Sequence, residues 1–284
     1  MKQWLVGLFC ALMACVAFAE RPAAVRERAE ASMLVTGTIE VMPDGSVRSY
    51  ALDQADKLPP AVVQVVQQNV LNWEFQFDGQ QATPMKAKMS LRLLAKRVDD
   101  KHDSVSISAT QFGEDHKVPG ENVSYKTRQQ PRYPQLALHS HVSGTVYLLV
   151  RVGRNGQVED AAAEQVNLKI YASDHDMDRF RTDLAKAALA AARQWTFNTP
   201  TTGKHVDDAY WVARVPVNFD VRPLGSSADR EPYGKWQTYI PGPRQLVPWS
   251  EKNKLLSDAP DAVPDGGIYQ LNQSLRLTTP LGGA

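Results

Sequence analysis

The sequence is poor in cysteine. It has two, Cys10 and Cys15, and both lie within the first 19 of its 284 residues. With that segment removed, no disulfide, cysteine nucleophile or cysteine-based metal site can exist. A charge excess is also missing. The formal net charge is +1, and without Lys2 the basic and acidic residues balance at 31 each. Such a chain has no electrostatic attraction to nucleic acid or to an anionic membrane. Hydrophobic runs are short. Trp4–Phe18 is fifteen residues long, against roughly 20 for a helix that crosses a bilayer. The patterns G-x-S-x-G, H-E-x-x-H, the P-loop and G-x-G-x-x-G do not occur.

What is present begins at the N-terminus. One lysine, a short apolar core and Ala17-Phe18-Ala19 before Glu20 read as a secretory leader over residues 1–19. Cleavage after Ala19 delivers a periplasmic chain. A second parse takes Leu12-Met13-Ala14-Cys15 as a lipobox with Cys15 lipid-anchored. Met13 and the apolar residues after Cys15 disfavour it. A third parse keeps the segment as an uncleaved anchor.

Two stretches share an ending, "NWEF" at Asn72–Phe75 and "QWTF" at Gln194–Phe197. Working backwards from each gives the same series. In Gly144–Val152, Val146, Leu148, Val150 and Val152 alternate with Thr145, Tyr147, Leu149 and Arg151, as in a strand. Asn155-Gly156 follows as a hairpin turn. The earlier copy has Val35, Gly37, Ile39 and Val41 on one face, with Asp44-Gly45 at the turn. Then come helical stripes: Leu58, Val62, Val66, Val70 and Trp73, and Phe180, Leu184, Ala188, Ala191 and Trp195. Pro59-Pro60 fits the first turn of one helix. Asp176 or Asp178 is the expected cap of the other. A closing strand ends each copy, with Ala87, Met89, Leu91 and Leu93 inward in one and Ala213, Val215, Val217 and Phe219 in the other. Trp73, Phe75, Trp195 and Phe197 read as core residues, and Gly45 and Gly156 as turn formers.

The second series, with "PRYPQLA" at Pro131–Ala137, "GTVYLLVRVGRNGQVEDA", "ALAAARQWTF" and "VPVNFDV", resembles the C-terminal domain of the TonB family. The match covers about Pro131–Pro223, and its specificity lies in the combination of pieces. The first series is a degenerate copy without Tyr-Pro, in which "RPAAVRERAEAS" stands in for the first helix. The resemblance implies an α+β fold: two tandem modules of α-β-β-α-β order, each a three-stranded antiparallel sheet with helices packed on it. It also implies a periplasmic domain that grips an extended peptide of an outer-membrane transporter, paired beside the last strand. The transducer's inner-membrane helix and Pro-rich spacer are not read here, so the resemblance bears on the module and its compartment rather than on energy transduction.

The expected organisation is a leader at 1–19, a degenerate module at 20–97, a polar linker at 98–130, a second module at 131–223 and a tail at 224–284. Ser104–Thr110 is a candidate short strand within the linker. The tail carries Tyr233, Trp236, Tyr239 and Trp249 among prolines. Its Tyr269, Leu271, Leu275 and Leu277 alternate with polar residues, as in one strand over 268–278. That strand is expected to pair with an open module edge, the alternative being an unstructured tail.

The last strand, Tyr210–Val221, supplies the peptide-binding candidates Tyr210, Trp211, Arg214, Pro216 and Asn218. Backbone pairing over five residues contributes about 5 kcal/mol, at about 1 kcal/mol per hydrogen bond. Micromolar binding needs about 8 kcal/mol, so side chains must supply the rest. Pro216 cannot donate to a ladder, which suits an edge and equally guards it. His139-x-His141 lies in a helix, where such residues diverge, so no metal is expected. "SDHDMD" at Ser173–Asp178 fails as a calcium loop because Arg179 and Ala185 stand where Gly and Glu are needed. No catalytic residue or cofactor is expected.

The reading is a non-catalytic interaction protein that binds an envelope protein or extended peptide. A structural envelope protein with self-covered edges is the alternative. A periplasmic hydrolase using Asp174, His175 and a serine is the third.

Overall fold

The computed structural model describes residues 29–97, 103–114, 119–221, 233–253, 259–271 and 275–282. The leader, Cys15, residues 21–28, His102 and His116 lie outside them. The fold mixes helices with antiparallel sheets, an α+β architecture.

Two units run in a similar order. The first has β1 (Glu30–Val41), β2 (Val47–Leu52), α1 (Pro60–Val70), β3 (Phe75–Phe77) and β4 (Met85–Arg97). The second has α2 (Gln135–His139), β7 (Gly144–Gly153), β8 (Val158–Leu168), α3 (Asp174–Ala192), β9 (Thr196–Asn198) and β10 (Tyr210–Phe219). In each, a hairpin joins two strands, and the closing strand adds on the other side of the first: β2–β1–β4 and β8–β7–β10. Glu30–Ser32, the end of the stretch read as a stand-in helix, is strand. It pairs with a late strand of the tail, and that pairing outweighs local helix preference.

One face of each sheet carries a helix and the main core. Val62, Val66 and Val70 of α1 are buried with Val35, Ile39, Leu91 and Leu93. Leu184 and Ala188 of α3 are buried with Val146, Leu148, Val215 and Val217. α1 starts at Pro60, where a missing N–H leaves no bond unmade. The cap of α3 is Ser173, not Asp176 or Asp178. Its hydroxyl accepts the Asp176 N–H at 3.2 Å and donates to the Asp176 carboxylate at 2.7 Å. Ser173 is the last extended residue before the helix, so it takes the N-cap position.

The two W-x-F endings make the same contact. The Phe75 N–H donates to the Gly45 carbonyl at 2.9 Å, and the Phe197 N–H to the Gly156 carbonyl at 2.8 Å. Both glycines have positive φ, 91° and 75°. A Cβ on either would lie 2.1 or 2.2 Å from the carbonyl oxygen of that same phenylalanine. Each turn is thereby pinned to the strand that follows the helix.

The stretch read as a polar linker is structural. It supplies β5 (Asp103–Glu114) and β6 (Ser124–Thr127). β5 pairs with β4 from Ala87↔Glu114 to Arg97↔Asp103, closing the outer edge of the first sheet. The candidate strand at Ser104–Thr110 is therefore part of a longer one. A bulge at Ser108 shifts the alternation by one residue, from Val105 and Ile107 to Thr110 and Phe112. The Ser108 hydroxyl donates to the Arg92 carbonyl at 3.0 Å. Phe112 and Tyr125, one from each strand, complete the two W-x-F clusters. Phe112 meets Phe75 edge-on at 4.9 Å between centroids, and Tyr125 stacks on Phe197 at 5.4 Å.

The expected tail strand is two short strands on different units. β12 (Tyr269–Gln270) pairs with β10, and β13 (Leu275–Leu277) with β3. The apolar phase is the same on both sides, at Tyr269 and Leu271 and at Leu275 and Leu277, but Gln273 interrupts it within the polar run Asn272–Ser274, between the two strands. Upstream, β11 (Gln237–Tyr239) pairs with β1, and Ile240 exchanges two hydrogen bonds with Leu168 of β8.

The tail also fills the space behind the sheets. Arg92, buried on the back of β4, donates from Nε to the Asp261 carbonyl at 2.8 Å and from Nη1 to the Ser32 hydroxyl at 3.3 Å. The Tyr239 hydroxyl donates to the Asp261 carboxylate at 2.5 Å. Burial raises the Tyr239 phenol well above its ordinary pKa, and the Asp261 charge adds to this. In the second unit, Glu164 is the extra residue of a bulge in β8. Its carboxylate takes the Arg214 Nε at 2.8 Å and the Arg244 Nη2 at 2.7 Å. Glu164 and Arg214 are 3% and 1% exposed, whereas Arg244, from the tail, is 35% exposed.

Gly45→Ala and Gly156→Ala each lower stability by more than about 1 kcal/mol, and Trp195→Ala by about 3–5 kcal/mol, measured by urea unfolding. Glu164→Ala, which takes a carboxylate away from a buried arginine, costs about 3–5 kcal/mol, and a Glu164→Leu/Arg214→Met pair recovers part of it. Deleting Gly266–Ala284 lowers the melting temperature and the solubility, because it removes β12 and β13 together.

Candidate functional site: the edge of the last strand

β10 is the closing strand of the second unit. Its helix-facing residues, Trp211, Val215, Val217 and Phe219, are buried in the core. The Leu271 N–H donates to the Val212 carbonyl at 3.0 Å. Val212 therefore directs its backbone groups to the outer edge, and by strand alternation so do Arg214, Pro216 and Asn218. β12 takes up only part of this edge, at Ala213↔Gln270 and Arg214↔Tyr269. The next outward residue is Pro216, which has no N–H to give. Continuing the register sets Pro216 opposite Gly267, whose carbonyl would find no donor there, and the ladder stops.

The five expected edge residues have different roles. Tyr210 is 37% exposed, and the Arg151 guanidinium lies 5.4 Å from its ring centre. Trp211 is 1% exposed, and its Nε1 donates to the His205 carbonyl at 2.9 Å. Arg214 is held by Glu164 behind the sheet. Pro216 is buried and Asn218 is exposed. The Asn218 side chain accepts the Thr145 hydroxyl at 2.7 Å. Only Tyr210 and Asn218 present side chains to solvent.

The edge also involves residues outside the five expected candidates. Leu271 is buried with Leu149, Val212 and Val247 on the back of the sheet. The Gln270 side-chain oxygen accepts the Val123 N–H at 2.7 Å. The Tyr269 hydroxyl donates to the Pro264 carbonyl at 2.8 Å, and burial pushes its pKa up to about 12. The alternation at 269–277 was the available signal for Leu271. Nothing in the local sequence marks Val123.

By contrast, the edge of β4 in the first unit is covered along its length by β5. The outer edge of β2 has no partner strand among the described residues. A cleft of about 1030 Å³ opens between the units, lined by Glu30, Lys96, Tyr171, Asp178, Arg181 and Pro241 among others. Burial raises the Glu30 pKa, and the Asp261 charge adds to it.

Among the described residues, no three His, Cys, Asp or Glu side chains converge as a metal site. His139 ends α2, and His141 lies beyond it with a φ of 51°. Asp174 and His175 sit in the first turn of α3, with His175 exposed. No helix among the described residues is long and apolar enough to cross a membrane.

Comparison with known proteins agrees with this geometry. The family described as "Gram-negative bacterial TonB protein C-terminal" matches residues 129–221. Protein TonB of Xanthomonas campestris pv. campestris strain B100 is 36% identical over 98 residues, 34% of this chain and 38% of that protein. Protein TonB of strain ATCC 33913 gives the same figures. The chain thus spans well under half the length of these curated relatives. No solved structure matches. From the helix that opens at Gln135 to the closing strand β10, residues 129–221 are a TonB C-terminal domain.

Proposed function

We propose that this is a non-catalytic periplasmic protein that binds an extended peptide of an envelope partner by strand addition at the β10 edge. An outer-membrane transporter is the kind of partner its TonB-like domain suits, which links the chain to TonB-dependent transport. The observation that carries the reading is an edge in this domain closed over two residue pairs by a strand of the same chain. A longer intramolecular ladder, such as β5 on β4, would leave no room for exchange. The leader at 1–19 is removed on export in this reading. The two units are then copies of one module, related by the shared Gly-to-Phe contact, and the first has given up its edge to β5.

A second reading is supported by the tail. It reaches β1, β8, β10 and β3 in turn, as a structural envelope protein with self-covered edges would require.

The two separate in one experiment. The Glu20–Ala284 protein, immobilised and exposed to solubilised outer membrane, retains a transporter. A synthetic peptide of that transporter's extended periplasmic segment then competes it off. Replacing Asn218 with a photo-crosslinking residue captures the same partner, whereas the same replacement at Arg48 on β2 does not. A monomeric protein that retains nothing supports the structural reading.

A further inference from the structure

We propose that Tyr269–Leu271 is an internal stand-in for the external partner. A partner must displace it, and must place an aliphatic side chain where Leu271 now sits. This rests on the strand-addition reading and states what that reading requires of the ligand.

The segment occupies the edge as a bound peptide would. It runs antiparallel to β10, with Ala213↔Gln270 and Arg214↔Tyr269 in register and the Leu271 N–H on the Val212 carbonyl at 3.0 Å. Its side chains are received individually. Leu271, 8% exposed, fills a recess floored by Leu149 and Val212 and walled by Val247. Gln270 accepts a backbone N–H from Val123. These contacts define a ligand: extended, with an acceptor side chain followed by an aliphatic residue. The peptide need carry no charge for Arg214, because Glu164 already holds that guanidinium.

The stand-in is also short for a definite reason. Pro216 removes the donor that a third outward position would need, so the ladder is cut after Arg214. A peptide cannot reach the Val212 and Arg214 backbone groups while Tyr269–Leu271 is on them. Occupancy by the tail and occupancy by a partner are therefore mutually exclusive. An intramolecular strand on so few bonds exchanges more readily than the β7–β10 ladder, which spans the whole of β10.

A redox lock tests this. Ala213 and Gln270 face each other at a position that is not hydrogen-bonded, by the alternation set by Val212, where Cβ atoms approach closely enough for a disulfide. The Glu20–Ala284 chain has no cysteine of its own, so an Ala213→Cys/Gln270→Cys protein forms one defined bond. The probe is a labelled synthetic peptide with the sequence of residues 264–271, read by fluorescence anisotropy. The reduced protein is expected to bind at least tenfold more tightly than the oxidised one. Leu271→Ser in the otherwise native chain is expected to bind at least tenfold more tightly than wild type. A probe with Asp in place of its leucine is expected to lose binding tenfold or more.

Equal affinity in the oxidised and reduced states overturns the stand-in while leaving strand addition elsewhere on the edge intact. No binding to the reduced, oxidised or Leu271→Ser proteins overturns strand addition at this edge as well. If Leu271→Ser fails to fold, the redox pair carries the test, because both states are the same polypeptide.

Discussion

A three-stranded antiparallel sheet leaves backbone N–H and C=O groups unpaired along both outer strands, and each needs a partner or water. This requirement organises the chain outside its two helix-covered cores. β5 meets it for β4, β11 extends the pairing of β1, residues near Ile240 meet it in part for β8, and β12 does so briefly for β10. Segments without a hydrophobic face of their own acquire structure because a waiting edge supplies their hydrogen bonds. Two edges stand apart: the outer edge of β2 has no partner strand among the described residues, and that of β10 is taken only in part. β10 is left half served, since Pro216 denies any neighbour its bond, and β10 belongs to the part of the chain that is a TonB C-terminal domain.

The second requirement comes from the backs of the sheets. They are polar by sequence, with Ser32, Arg92, Thr145 and Arg214, yet these residues are buried. The tail makes this tolerable by bringing complementary groups. The Asp261 carbonyl meets Arg92, and Arg244 meets the carboxylate of Glu164, which Arg214 already holds from within the second unit. An unpaired buried guanidinium would be strongly destabilising. The tail is thus as much a polar filling as a set of strands, which explains why its 3-10 turn at Pro260–Ala262 is buried although short.

The repeated parts of the fold were legible in the sequence because their signals are local. Both helical stripes, both Gly turns and both W-x-F endings are contiguous patterns, and the residues in them are buried or hydrogen-bonded to one another in the structure. The pieces misread were those whose structure depends on distant partners. Ser108 breaks the alternation of β5, so its second half, through Phe112, looked like linker. Glu30–Ser32 is strand because Gln237–Tyr239 lies beside it. The tail read as one strand because its apolar residues keep one phase across the polar run Asn272–Ser274, which is where the chain changes sheet. Of the expected edge residues, Arg214, Pro216 and Asn218 direct backbone to the edge by alternation. The Arg214 side chain is turned behind the sheet by a carboxylate fifty residues earlier on a bulge, a relation that no local pattern carries.

The alternating route of the tail has a kinetic side. A chain is made from its N-terminus, so both cores can assemble while the residues after Val221 are still missing. Until they arrive, β3 lacks β13, β10 lacks β12, and Arg92 and Glu164 lack the tail groups Asp261 and Arg244. The closing contact between the Glu74 N–H and the Thr279 hydroxyl, at 2.7 Å, joins residues 205 apart. Such non-local closure is slow compared with hairpin or helix formation. The chain therefore passes through an interval in which its units are formed and its edges are still adhesive, and a chaperone that shields strand edges would act in that interval.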